Sequence, residues 1–263
     1  MPAEIATPRL SASVILVRDA LDGLETFMVR RHVKSPVAPS AYVFPGGTVR
    51  ADDVEVQVSQ PLALAHRLSE RADTPVAAAD AAALHVCAIR ELFEEAGVFA
   101  ARDASGALLT VAGSDRSAQE RLASTRLALQ ARELSLAGVL ADWRLEPAFD
   151  VLVPFSHWVT PAALAARFDT WFFIATMPPG QSALHDTVET SAGLWLRPSA
   201  VLEGDYHTVY ATAQHLRRLS PFLTVDALLA FASEKQLRLV EPTVFEAGDG
   251  LSVTLDPRLI DAW

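Results

Sequence analysis

Ala88-Ile89-Arg90-Glu91-Leu92-Phe93-Glu94-Glu95-Ala96-Gly97-Val98 carries three carboxylates at positions i, i+3 and i+4. The segment reads as the end of a helix over 77–96, closed by Gly97, a residue favoured just past a helix terminus. On an ideal helix of about 100° per residue, with Glu91 at zero, Glu95 lies at about +40° and Glu94 at about −60°. Leu92, Ala96, Ile89 and Phe93 fall between about +100° and +200°, so an apolar face opposes the acidic one. Like charges so placed repel, weakly on an exposed helix and more strongly if buried. Two readings follow. The glutamates either solvate a surface helix, or hold a divalent cation that removes the repulsion. Oxygen-only ligation suits Mg²⁺ or Mn²⁺. Arg90 is either an i,i+4 partner of Glu94 or the group that orients a carboxylate.

Upstream, 41–44 reads as a short strand stopped by Pro45-Gly46-Gly47, a chain-reversal signal. Before it, 10–18 and 25–31 are apolar, β-branched segments flanking Asp22-Gly23, a hairpin pattern. A helix is expected over 117–136, strands over 150–158, 170–176 and 192–196, and tail helices over 208–219 and 224–234. Hairpin-like neighbours interleaved with helices predict an α/β fold with a mixed sheet sandwiched between helices. The expected domain spans 1–203, with a helical C-terminal extension over 204–263 packed on it.

The chain has 263 residues, enough for a sizeable core, with 51% hydrophobic and 21% charged residues. No apolar stretch approaches the ~20 residues that cross a bilayer, and the N-terminus lacks a signal-peptide pattern, so no membrane partner is expected. The single cysteine, Cys87, fits a reducing, cytoplasmic setting and is read as a packing residue. A formal charge of −10 argues against a nucleic-acid polymer as partner. A small anionic substrate remains compatible, because bound cations invert local charge.

Phe44-Pro45-Gly46-Gly47 and Arg90-Glu91-Leu92-Phe93-Glu94-Glu95-Ala96-Gly97-Val98 together resemble the Nudix hydrolase signature, GX5EX7REUXEEXGU with U aliphatic. Gly47 takes the first position, and Arg90 to Val98 match every specified position of the second half. The glycines are expected to turn the loop tightly and bring backbone close to the helix. Two departures stand out. Asp53 occupies the place of the first glutamate, and 36 residues instead of seven separate it from Arg90. The excess is an insertion over about 54–82, expected to be a surface excursion with a short helix near 62–70.

The split box, with Trp158-Val159-Thr160-Pro161, Arg167-Phe168-Asp169-Thr170-Trp171-Phe172-Phe173 and Trp195-Leu196-Arg197-Pro198, is similar to the Nudix branch of peroxisomal coenzyme A diphosphatases. The resemblance implies Mg²⁺- or Mn²⁺-dependent water attack on the diphosphate of CoA or acyl-CoA, giving 3′,5′-ADP and (acyl-)phosphopantetheine. A sister branch's coenzyme A pattern, RX3GX3FPGG, is not met, since Ser40 and Pro36 replace its Gly and Arg. NADH, ADP-ribose or nucleotide sugars as substrates, and a non-catalytic nucleotide-sensing module, are the alternatives. The resemblance places metal on Glu91, Glu94 and Glu95 and assigns catalytic roles to Glu91, Glu94 and Arg90, with Glu189 on a later loop a candidate base or else a solvated turn carboxylate. Arg30, Arg31, Phe44, Gly46 and Gly47 are candidates for the substrate pocket; Arg30 and Arg31 are equally readable as exposed strand-end charges. A homodimer through the tail is expected, as are an Arg167–Asp169 ion pair and surface or interface positions for Trp143 and Trp263.

Overall fold

Ala12, Val14 and Leu16 of strand β1 (Arg9–Ala20) enter one apolar cluster, whereas Ile15 and Val17 enter another. Side chains alternate across a strand, so β1 is buried on both faces and reads as a nearly continuous apolar run. The protein is described by a computed structural model over residues 5–111, 115–186, 190–247, 250–260 and 263. After β1 come β2 (Gly23–Arg31), β3 (Tyr42–Val43), β4 (Gly46–Thr48), α1 (Pro61–Ser69), α2 (Ala78–Ala96) and β5 (Ala101–Arg102). Next are α3 (Arg116–Gln130), α4 (Leu136–Trp143), β6 (Glu146–Pro147), β7 (Val153–Val159), β8 (Phe168–Thr176) and β9 (Thr190–Leu196). The tail carries α5 (Pro198–Glu203), α6 (Tyr210–Leu219), α7 (Val225–Glu234), β10 (Leu239–Val240), β11 (Thr243–Ala247) and β12 (Gly250–Thr254).

The main sheet runs β10-β7-β8-β1-β2-β3, with β4 on β1 and β9 on β2. The β1–β8 and β10–β7 pairs are parallel and the remaining pairs antiparallel, which makes the expected mixed sheet. β1 and β2 pair only from Val17–Thr26 to Ala20–Gly23 and then diverge. β4 takes the freed edge of β1 at Ser11–Ser13, while β3 takes β2 at Val29 and Arg30. This split admits the glycine segment to the middle of the sheet, directly beneath α2.

Helices cover both faces. α1, α2 and α4 contribute to the cluster containing Phe27, Phe93 and Phe173, and α6 and α7 to the one containing Phe155, Trp158 and Phe172. The insertion does more than run over the surface: Val56, Leu64, Ala65 and Leu68 are buried in the first cluster, because α1 packs along α2. The tail adds strands to its expected helices. β10 extends the sheet edge and β11–β12 form a hairpin, so 204–263 supplies a layer of the sandwich. The helix expected over 117–136 stops at Gln130, and after Arg132, at φ 58°, a separate α4 begins. Trp263 is 2% exposed, packed against Trp158, Phe155 and His215, and Trp143 is half-buried against Phe99; neither is an exposed surface residue. Arg167 and Asp169 do not pair. His157 and Asp169 are diagonal neighbours across β7–β8 and share a 2.6 Å hydrogen bond, while Arg167 reaches Glu241 at 3.0 Å.

Candidate active site

α2 ends where expected, with Gly97 in the left-handed region (φ 69°) and its N–H donating to Phe93 O. Its last turn is clamped from outside: Arg126 and Gln130 of α3 both donate to the Glu94 carbonyl, at 2.9 and 2.6 Å. The N–H of Leu184, on the loop after β8, reaches Ala96 O at 2.8 Å. Carbonyls that a helix terminus leaves unpaired are thereby satisfied, and the acidic face is held rigidly.

The glutamates are not a solvated face. Glu91, Glu94 and Glu95 are only 5%, 4% and 6% exposed. Burial, and secondarily the charge of Glu91, push the Glu94 carboxyl up to about 7 despite the opposing Arg90 and Arg50. Fully buried Arg90 is the hub. Its Nε and Nη2 donate to Asp53 at 2.7 and 3.0 Å, Nη1 to Glu91 at 2.5 Å, and Nη2 also to Thr48 O at 2.9 Å. Burial works against the Arg90 charge, yet the Asp53 hydrogen bonds and the Glu91 charge outweigh it and leave its pKa raised. The i,i+4 contact to Glu94 is the longest of the set, 3.5 Å, so Arg90 orients carboxylates rather than simply pairing along the helix.

Asp53 therefore has a defined place. It is 1% exposed, gripped by Arg90, and accepts the Arg50 N–H at 2.8 Å. The two halves of the box close across the insertion through that carboxylate. Cys87 is fully buried beside Arg90, and burial raises its thiol pKa well above normal, in keeping with a packing role.

The glycines act by allowing close approach. Neither Gly46 nor Gly47 has positive φ; both lie in β4, and the tight-turn role expected for them is not what the backbone shows. A Cβ at Gly47 would fall on the Glu91 carboxylate, and one at Gly46 would lie 2.7 Å from Ala12 O. The Gly46 N–H donates to Glu95 Oε2 at 2.9 Å.

Arg50, which the sequence pattern did not single out, makes a bidentate pair with Glu94 at 2.6 and 2.8 Å. Its only sequence signal was a place between Gly47 and Asp53. A cleft of about 660 Å³ opens over the site, lined by Glu91, Glu95, Gly46, Gly47, Phe44, Arg9, Arg31 and Arg50. Trp158, Leu164, Phe168, Phe172, Tyr210 and Pro242 also line it. Arg31 thus reaches the pocket, braced by Ser35 Oγ and Val37 O. Arg30 does not line it: its Nε donates to Ser40 O and its guanidinium lies 5.9 Å from the Tyr42 ring. Glu189 lies outside the described residues. On either side of 187–189, Asp186 accepts from the Thr190 N–H and Oγ1.

Buried oxygen donors on one helix face, with one carboxyl raised by burial and by its neighbour Glu91, suit a hard divalent cation. Among the described residues, no three acidic, His or Cys side chains converge at ligating spacing, because arginines and a backbone N–H hold the carboxylates.

Fold and site define a Nudix hydrolase, an enzyme class acting on diphosphate linkages. The chain belongs to the family described as the NUDT19 Nudix domain, which matches residues 55–209. It is 28% identical to an acyl-coenzyme A diphosphatase NUDT19 from Xenopus laevis, over 88% of this chain and 70% of that protein. It is 29% identical to one from Gallus gallus, over 86% and 70%. A Nudix hydrolase crystal structure from Alicyclobacillus acidocaldarius shares the fold, with TM-score 0.65 and 24% identity over 86% of this chain and 97% of that one. No helix among the described residues is long and apolar enough to cross a membrane.

Proposed function

We propose that this chain hydrolyses the diphosphate of CoA or acyl-CoA, releasing 3′,5′-ADP and (acyl-)phosphopantetheine, with Mg²⁺ or Mn²⁺ on Glu91, Glu94 and Glu95. The observation that carries the substrate choice is the mixed lining of the cleft: Arg31, Arg50, Glu91 and Glu95 share it with Leu164, Phe168, Phe172 and Tyr210. A dinucleotide is polar at both ends, whereas an acyl-pantetheine arm is long and, with its acyl group, apolar. The apolar part of the lining matches the latter by burying apolar area. The relatives' names point the same way.

In this reading Arg9, Arg31 and Arg50 meet phosphates, which a chain of net charge −10 must otherwise repel. Arg90, through Asp53 and Glu91, fixes the acidic face. A bound divalent cation supplies neutralisation of the diphosphate charge and a lowered proton affinity for attacking water. Glu189 or Glu94 accepts that water's proton. The chain is read as one Nudix unit over 1–203 with 204–263 packed on it.

The test is product analysis on CoA, acyl-CoA, NADH, ADP-ribose and nucleotide sugars with each metal. Release of 3′,5′-ADP from the CoA compounds is expected. Cleavage of NADH but not CoA overturns the substrate, and no turnover on any compound overturns the enzyme reading.

A further inference from the structure

Arg50 occupies both oxygens of Glu94 while lining the same cleft as Glu91 and Glu95. A guanidinium stays charged at any ordinary pH, so a divalent cation that takes Glu94 must displace it. The Arg50 side chain is 15% exposed and Glu94 5%, which gives the guanidinium a way out into the cleft and the carboxylate almost none. The Arg50 backbone is fixed: its N–H donates to Asp53 Oδ2 at 2.8 Å and its carbonyl accepts the Asp53 N–H at 3.2 Å. Asp53 is itself held by two bonds from Arg90. The pivot is therefore rigid and the long side chain is the mobile part.

We propose that Arg50 is an exchange residue. It latches Glu94 before the divalent cation binds, is displaced when the cation takes Glu94, and then turns its two-pronged donor edge to the substrate diphosphate. Carboxylate and phosphate present similar paired oxygens, so one guanidinium serves both in turn. Metal loading and diphosphate capture are thereby coupled through one side chain. Arg50 binds and positions substrate rather than moving a proton. The proposal rests on the metal-site reading above, and its test separates the two.

The test uses the full-length chain and two ligands that need no turnover: Mn²⁺, followed by its electron paramagnetic resonance signal, and inorganic pyrophosphate, followed by calorimetry at saturating Mg²⁺. Arg50→Ala removes the latch, so Mn²⁺ is expected to bind about fivefold tighter, while pyrophosphate binds about tenfold weaker. Arg50→Lys keeps the charge and stem without the fork and should move both affinities in the same directions but less; it stands in if the alanine variant fails to fold. Opposite shifts are the signature, because a merely structural arginine would weaken both ligands or neither. Mn²⁺ affinity unchanged or weakened in the folded variants overturns the exchange, as does pyrophosphate affinity that does not fall. No Mn²⁺ binding by the wild-type chain instead overturns the metal-site reading, and the exchange with it.

Discussion

Arg90 reaches across the insertion to Asp53 with two hydrogen bonds of 2.7 and 3.0 Å, and both side chains are essentially buried. A charge taken out of water needs its partner, and removing one member of such a pair leaves the other uncompensated. Asp53→Asn is expected to cost about 3–5 kcal/mol in urea unfolding. Arg90→Lys should also destabilise, since an ammonium cannot reproduce the fork that holds Asp53, Glu91 and Thr48 O. Either variant with wild-type stability would remove this pair from its structural role.

Gly47 is set against the Glu91 carboxylate so closely that no β-carbon fits. The end of the glutamate side chain is the element able to move. Gly47→Ala should therefore keep the circular-dichroism spectrum of the fold while displacing Glu91, and a misplacement near 1 Å costs roughly 100-fold in rate. A variant as active as the parent would show that the position of Glu91 is not critical.

His215 and His85 are buried, with no carboxylate partner among the described residues. His215 shares a 2.6 Å hydrogen bond with Ser156 and another with Ala211 O; His85 contacts Ala81 O. Burial lowers their pKa values to about 3 and about 4. Above pH 6.5 both states carry these rings neutral. Below it the unfolded chain takes up protons that the native chain refuses, so stability falls as pH drops from about 6.5 toward 4. Two such groups alone contribute a slope of up to about 2.7 kcal/mol per pH unit, which proton uptake by native Glu94 offsets in part. Chemical denaturation across that range measures it, and His215→Gln should remove up to about 1.4 kcal/mol per pH unit of it. A profile unchanged by His215→Gln contradicts the burial of that ring as a neutral species.

Residues 204–263 place Leu216, Leu219, Leu228, Ala232, Val240 and Trp263 in the cluster beneath one face of the sheet. A chain ending at 203 would expose that face, including Phe155, Trp158 and Phe172, as a large apolar patch. It should be insoluble or molten when expressed alone. A soluble, cooperatively folding 1–203 fragment would show that the tail is dispensable to the core.

The sequence made the sheet and α2 legible because β1, β2 and β8 carry continuous apolar runs, α2 has an apolar face opposite its glutamates, and Gly97 marks an end that the backbone obeys. It did not show the tail strands, since Leu239–Val240 is too short for a period and joins the sheet through partners distant in sequence. The acidic face was readable, but its burial was not: Glu91, Glu94 and Glu95 are covered by the glycine segment, Arg50, Arg90 and α3. Arg50 carried no spacing rule, and its meaning depends on a contact 44 residues away. Arg30 and Arg31 are adjacent and chemically identical, and only the side alternation of β2, which sends one toward the cleft, tells them apart.

On the proposed function, Glu91, Glu94 and Glu95 carry metal-dependent cleavage of a CoA-type diphosphate. The most direct test is the release of 3′,5′-ADP from acyl-CoA with Mg²⁺ by the wild-type chain beside Glu94→Gln and Glu95→Gln. Product from the wild type that falls to background in both variants is the predicted result. Wild-type rates in either folded variant, or no product from any of the three, would contradict it.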